Sequence, residues 1–179
     1  MTDSVQKLGV EIDQSMDLLL HDWQKRVSSI PQASALDKPT LQDHVPVLLR
    51  DIANAFQAYG ETHDPSKGLE QRNSPNASPI EMASKSAHEH GVQRFQIGFD
   101  IAEIAAEYSI LRDVLFDFAI ERGIKFTSTL VLNINAVMDV AISRALKVHA
   151  ELSKRELMNA HHRHMEFIAH DMRTPLQAV

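Results

Sequence analysis

The chain has 179 residues and a formal net charge of −6, with a pI near 5.9. This acidic balance argues against non-specific nucleic-acid binding, which needs a basic face to displace phosphate counterions. The absence of cysteine excludes disulfides, thiolate zinc sites and cysteine nucleophiles, while a hydrophobic fraction of 44% is enough for one core, with room for a helical appendage.

Six glycines and the near absence of alternating patterns point to an all-α fold. The opening MTDSVQKLGVEIDQ lacks a basic segment followed by an apolar run, so no signal peptide is expected. Val5, Leu8, Ile12, Met16, Leu19, Trp23 and Val27 fall on one face of a single helix that Pro31 ends. Asp43 is the expected N-cap of the next helix, with Pro46 in its first turn and Leu48, Ile52, Ala55, Phe56 and Tyr59 on its buried face. From Gly60 to Ala77 the pattern dissolves into a mobile surface loop. Ser78, Pro79 and Glu81 then form a capping-box start for a helix running to about Ile97. Gly98 breaks it, and Asp100 with Glu103 opens another, which buries Ile101, Ile104, Tyr108, Leu111, Leu115 and Phe118 before Gly123 closes it.

No Gly or Pro follows Thr127 until Pro175, so a helix of nearly fifty residues is expected. Leu130, Ile134, Val137, Ala141, Ala145, Val148 and Leu152 make a narrow stripe along it. Met165, Ile168, Met172, Pro175 and Val179 then step by three and four, a heptad spacing that asks for a partner helix. The two stripes slip between Leu152 and Met158, most simply through a stutter in the supercoil. No stretch approaches 18 uncharged apolar residues; the most apolar, TLVLNINAVMDVAI, contains two Asn and an Asp, so a soluble cytoplasmic protein without a membrane partner is expected.

Near the end lies FIAHDMRTPL, Phe167 to Leu176. With Met165, Ile168 and Met172 on the seam, His170 points away from it toward solvent. Asp171 can accept an imidazole proton, leaving the other ring nitrogen as a nucleophile and stabilising the cation that forms. Thr174 lies one turn beyond on the same face, and Pro175 removes a helical hydrogen bond, so a bend just below the histidine is expected.

HDMRTPL resembles the phosphoacceptor box of two-component sensor histidine kinases, and a chance match in a chain of this size is on the order of one in ten thousand or rarer. The resemblance implies that His170 accepts the γ-phosphoryl group of ATP and passes it to an aspartate on a response regulator. It also implies that Asp171 assists as acid or base, and that Thr174 serves phosphatase-type hydrolysis and positioning. In that family the motif lies on the first helix of a dimeric four-helix bundle. The second bundle helix and the ATP-binding domain are missing from this sequence, so the chain is expected to be the N-terminal sensor region of a longer kinase. It would be inactive as a kinase alone, with no cofactor of its own, ATP and Mg belonging to the parent protein.

LLLHDW, LQDHVPVLLRDIANAF and HEHGVQRFQIGFDIAEIAAEYSILRDVLF together resemble the helical N-terminal domain of stressosome-type co-antagonists (the RsbR group) and some soluble histidine kinases, over roughly residues 10–150. Related domains are globin-like or helical bundles that sense without haem and dimerise. The expected organisation is a sensor domain over 1–126, with the loop at about 60–77, a signalling helix over 127–160, and the start of a phosphoacceptor helix over 161–179. The expected partners are a second copy of the chain and a response-regulator receiver domain, with no nucleic acid.

For the sensor domain, His44 is either a ligand contact or a helix-start histidine bonding a carbonyl. His90, Gln93 and Arg94 either line a polar pocket or bridge two helices, with Gly91 allowing close approach and Arg94 pairing with Glu107. Trp23 and the phenylalanines are most simply core. His161, His162 and His164 read as a solvated face rather than a metal site, because no acid or cysteine completes a ligand set. The other readings are a haem- or metal-based sensor and a naturally short scaffold or phosphotransfer protein.

Overall fold

The computed structural model describes residues 3–62 and 79–176, with side chains described over 3–58 and 85–168. It is an all-α helical bundle, with no strand among the described residues. Its helices are α1 (Ser4–Gln14), α2 (Met16–Val27), α3 (Pro31–Ser34), α4 (Lys38–Gln42), α5 (Val45–Thr62), α6 (Pro79–Gln96), α7 (Ile101–Glu121) and α8 (Ser128–Leu176).

The expected first helix is two helices. Its apolar face is intact, with Val5, Leu8, Ile12, Leu19, Trp23 and Val27 buried, but the chain bends at Ser15. Serine competes for local hydrogen bonds and suits helix ends, and the Ser15 hydroxyl accepts a 2.8 Å bond from Arg122. The segment before α5 also differs from expectation. Asp37, not Asp43, is the N-cap there, accepting from the Thr40 amide at 3.1 Å and opening the short α4. Asp43 instead closes α4, its amide bonded to the Pro39 carbonyl at 3.0 Å. Helix α5 continues through Gly60 to Thr62; the rest of the expected loop, and the Ser78 cap, lie outside the described residues.

Both glycine stops act as expected. Gly98 has φ 85° and Gly123 has φ 60°, a conformation that other residues adopt only with strain. Each closes its helix with the paired bonds of a Schellman motif. At α6 the Phe99 amide reaches the Arg94 carbonyl (2.9 Å) and Gly98 reaches Phe95 (3.1 Å). At α7 Ile124 reaches Ala119 (3.0 Å) and Gly123 reaches Ile120 (2.9 Å). The Asp100–Glu103 capping box is complete, with bonds of 2.8 and 2.9 Å. Ile101 is exposed, contrary to the expected face, because it lies in the first turn of α7 outside the packed stripe. Nor are all phenylalanines core: Phe126 and Phe167 are exposed.

The helices close into a ring. α1 packs on α5, α5 on α6, α6 on α8, α8 on α7, and α7 on α2, which meets α5 and α1 again. One continuous cluster fills the interior, from Val5 and Trp23 to Leu130, Ile134, Val137, Met138, Ala141 and Ala145 of α8. One close approach is at Gly91, where an added Cβ would lie 2.7 Å from the Ala145 carbonyl and 2.6 Å from Val148 Cγ1. The glycine therefore brings α6 against α8.

Helix α8 spans 49 residues without interruption. By length and composition, Ser128–Ile168 is apolar enough to cross a membrane. Its residues Leu130, Ile134, Val137, Met138, Ala141, Ala145 and Val148, however, are buried in the domain's own core, whereas Leu132 is 68% exposed. From Lys154 to Ile168 every residue is exposed. The helical span passes through Pro175 to Leu176.

Candidate functional site

A buried ionic cluster occupies the meeting point of α4, α6 and α7. Arg94 (0% exposed) and Glu107 (2%) pair across α6 and α7, with Nε 3.0 and 2.9 Å from the two carboxylate oxygens. His90 (2%), one turn before Arg94, places Nε2 3.1 Å from the same carboxylate. The rest of the guanidinium fork turns toward α4, reaching the carbonyls of Leu41 at 2.7 Å and Thr40 at 3.4 Å. Gln93 adds a 3.0 Å bond to Thr40 and accepts from Arg94. These carbonyls belong to the last turn of a helix, where no intrahelical donor remains, so a cation there is favourable.

The charge states follow from the geometry. A carboxylate only accepts, so Nε2 of His90 carries the proton in the His90–Glu107 bond. Burial pushes the His90 pKa down, outweighing its bond to Glu107, so the ring is neutral. Burial opposes ionisation of Glu107, but the bonds from His90 and Arg94 prevail and hold it below the usual carboxylate range. Tyr108, beside it, is pushed up by burial and by the Glu107 charge, and stays protonated.

Beside the cluster lies a cavity of about 10 Å³, walled by His90, Glu107 and Tyr108 together with Trp23, Val45, Leu48 and Leu111. The His90 and Tyr108 rings meet edge to face, 5.5 Å between centroids.

The cluster also connects to α8. The Arg94 guanidinium sits 4.9 Å from the centroid of the Phe99 ring, a cation–π contact. The Phe99 carbonyl accepts a 2.8 Å bond from Nε2 of buried His149 on α8. His149 packs edge to face on Phe95 at 5.3 Å. It is the last buried residue of α8 within the described side chains.

Of the residues proposed from sequence, the structure gathers His90, Gln93 and Arg94, but only His90 reaches the cavity wall. His44 stands apart and half-exposed, against the carboxylate of Asp43 and 3.9 Å from that of Glu89, rather than bonded to a carbonyl. The sequence Asp43-His44 places an acid beside the ring, which displaces the carbonyl as its partner. His161, His162 and His164 are exposed, and an acid does approach them, with His162 pairing to Glu166 at 3.2 Å. No group of three or more metal-ligating side chains occurs among the described residues. The side chains of His170, Asp171 and Thr174 lie outside the described residues, although the backbone there is helical. Sequence reasoning missed His149 and the cavity role of Tyr108. His149 had a signal, because it lies four residues beyond Ala145 and next to Val148 on the buried stripe, where a histidine needs a partner.

In comparisons with family models, curated proteins and solved structures, nothing matches this chain.

Proposed function

We propose that this chain is the sensing and dimerising region of a two-component histidine kinase. In this reading His170 accepts the γ-phosphoryl group of ATP and hands it to an aspartate of a response-regulator receiver domain. The observation that carries it is the sequence HDMRTPL at the far end of one unbroken helix that begins in the domain core. Roughly 33 Å of helix separates Val148 from His170, at about 1.5 Å per residue. A helix of that length transmits a rotation or a shift along its axis, whereas a loop absorbs it.

The chemistry needs a nucleophilic imidazole nitrogen and a neighbour that accepts the opposite ring proton; Asp171 supplies the neighbour. Thr174 is assigned to positioning and to the reverse hydrolysis. ATP and its Mg belong to the ATP-binding domain of the parent kinase. Dimerisation is supported by Met165 (52% exposed) and Ile168 (39%) on the heptad seam, apolar groups with no cover in the single chain. An input at the helical domain shifts the relation of two such helices and so the access of His170 to the ATP domain.

The test uses the full-length protein that carries this chain, incubated with γ-labelled ATP and Mg. Acid-labile, alkali-stable label is expected, and His170→Gln abolishes it. Label that survives the substitution overturns the assignment.

A further inference from the structure

We infer that the cavity between α2, α5, α6 and α7 is a binding site for one hydrogen-bonding molecule of water size, held by Tyr108, His90 and Glu107. This inference is independent of whether His170 accepts phosphate.

Three observations converge on it. The volume, about 10 Å³, suits a single water and nothing much larger. Two polar atoms of the lining side chains, His90 Nδ1 and the Tyr108 hydroxyl, are fully buried without a protein partner. Buried polar groups are nearly always bonded, and two such orphans at one small cavity are most economically met by one shared molecule. Glu107, whose carboxylate keeps spare lone pairs, lines the same space and brings the number of polar partners to three, the usual number for a buried water.

The polarity of the wall selects the chemistry of the occupant. His90 gives its only ring proton to Glu107 through Nε2, which leaves Nδ1 as an acceptor. Glu107 also only accepts. The Tyr108 hydroxyl both donates and accepts. The occupant must therefore donate at least one hydrogen, to Nδ1 or to the carboxylate, and accept one from Tyr108. Water satisfies all three walls at once. A dioxygen or other apolar diatomic has no hydrogen to give and leaves Nδ1 unmet. Val45, Leu48 and Leu111 make the apolar part of the lining, and Trp23 adds an indole ring whose N–H only donates.

The test pairs a crystal structure of the chain, at a resolution that shows ordered solvent, with thermal unfolding of Tyr108→Phe, which removes one oxygen and keeps the ring. The expected result is a solvent peak within hydrogen-bond distance of both Tyr108 Oη and His90 Nδ1. In the variant the peak is lost or displaced and Tm falls by about 2–4 °C, as the loss of a satisfied buried bond requires. A cavity without a solvent peak, or a peak touching neither atom, overturns the proposal. So does a Tm that stays level or rises in Tyr108→Phe, because removing an orphaned hydroxyl relieves a penalty.

Discussion

Nε2 of His149 donates to the main-chain carbonyl of Phe99 at 2.8 Å, at the point where α8 leaves the body of the domain. The acceptor sits in the turn that Gly98 makes between α6 and α7, and its ring lies under Arg94. One hydrogen bond thus joins the emerging helix to the buried ionic cluster. Replacing His149 by Leu keeps the bulk and removes the donor, leaving a buried carbonyl unpaired. We expect a loss of about 1–3 kcal/mol in stability, read by urea unfolding. Hydrogen exchange of the α8 amides around Val148 should rise relative to those around Ile134. Unchanged exchange at that position shows that the bond does not fasten the helix.

The Arg94–Glu107 pair gives a second expectation. Arg94→Met strands the Glu107 carboxylate in the interior with only a neutral histidine for company, which should cost about 3–5 kcal/mol. Adding Glu107→Leu removes the stranded charge, so the double variant should be more stable than Arg94→Met alone even though it lacks more polar contacts. Denaturant midpoints of the three proteins check this. A double variant less stable than the single one shows that the carboxylate has another role in the fold.

The same cluster sets an acid limit. His90 titrates below its ordinary value of 6.5 when folded, chiefly because it is buried. The unfolded chain therefore binds the proton first, and stability falls as the pH drops below 6.5 toward the folded value. Glu107 also titrates below its ordinary 4.5, so its contribution is present above 4.5 and is lost as the pH falls further. Both effects have the same sign, the His90 window opening at 6.5 and the Glu107 window at 4.5. His90 is faced by Glu107 and Arg94, with His44 acting at longer range. In His90→Gln the unfolding free energy should change less between about pH 6.5 and 4.5, while the lower window persists. An identical slope in the two proteins removes His90 as the cause.

Much of the fold was legible because its signals are local. Gly98 and Gly123 are required by the two Schellman stops, Asp100 and Glu103 by a four-residue box, and the stripe of α8 by its three-and-four spacing. Features decided by distant partners were not legible. The bend at Ser15 coincides with a bond from Arg122, more than a hundred residues away. The short α4 is held by Arg94 and Gln93, whose target carbonyls on Thr40 and Leu41 carry no side-chain signature. His90 and Arg94 were visible as a pair of polar residues one turn apart. That they would meet Glu107 beside a cavity that Trp23 also lines depends on how α2, α6 and α7 assemble. His44 misled because it sits two residues before a proline at a helix start, while its actual neighbours are two acids.

The distal half of α8 carries the last expectation. Met165 and Ile168 share the heptad seam and stand in solvent in the single chain, with Leu157 (72% exposed) and Phe167 (65%) close by. Under the proposed parallel dimer, each Ile168 meets its counterpart, and burying such a side chain contributes about 1.5–3 kcal/mol. Ile168→Asp removes that gain from both copies and opposes two carboxylates, so the dimer dissociation constant should rise by at least about tenfold. Sedimentation velocity over a concentration series gives the comparison. Phe167→Asp, placed off the seam, should leave the dimer nearly unchanged, which separates a register-specific interface from general adhesion of an apolar helix. Equal weakening by both substitutions points to general adhesion, and a wild-type chain that stays monomeric at high micromolar concentration ends the dimer reading for this segment.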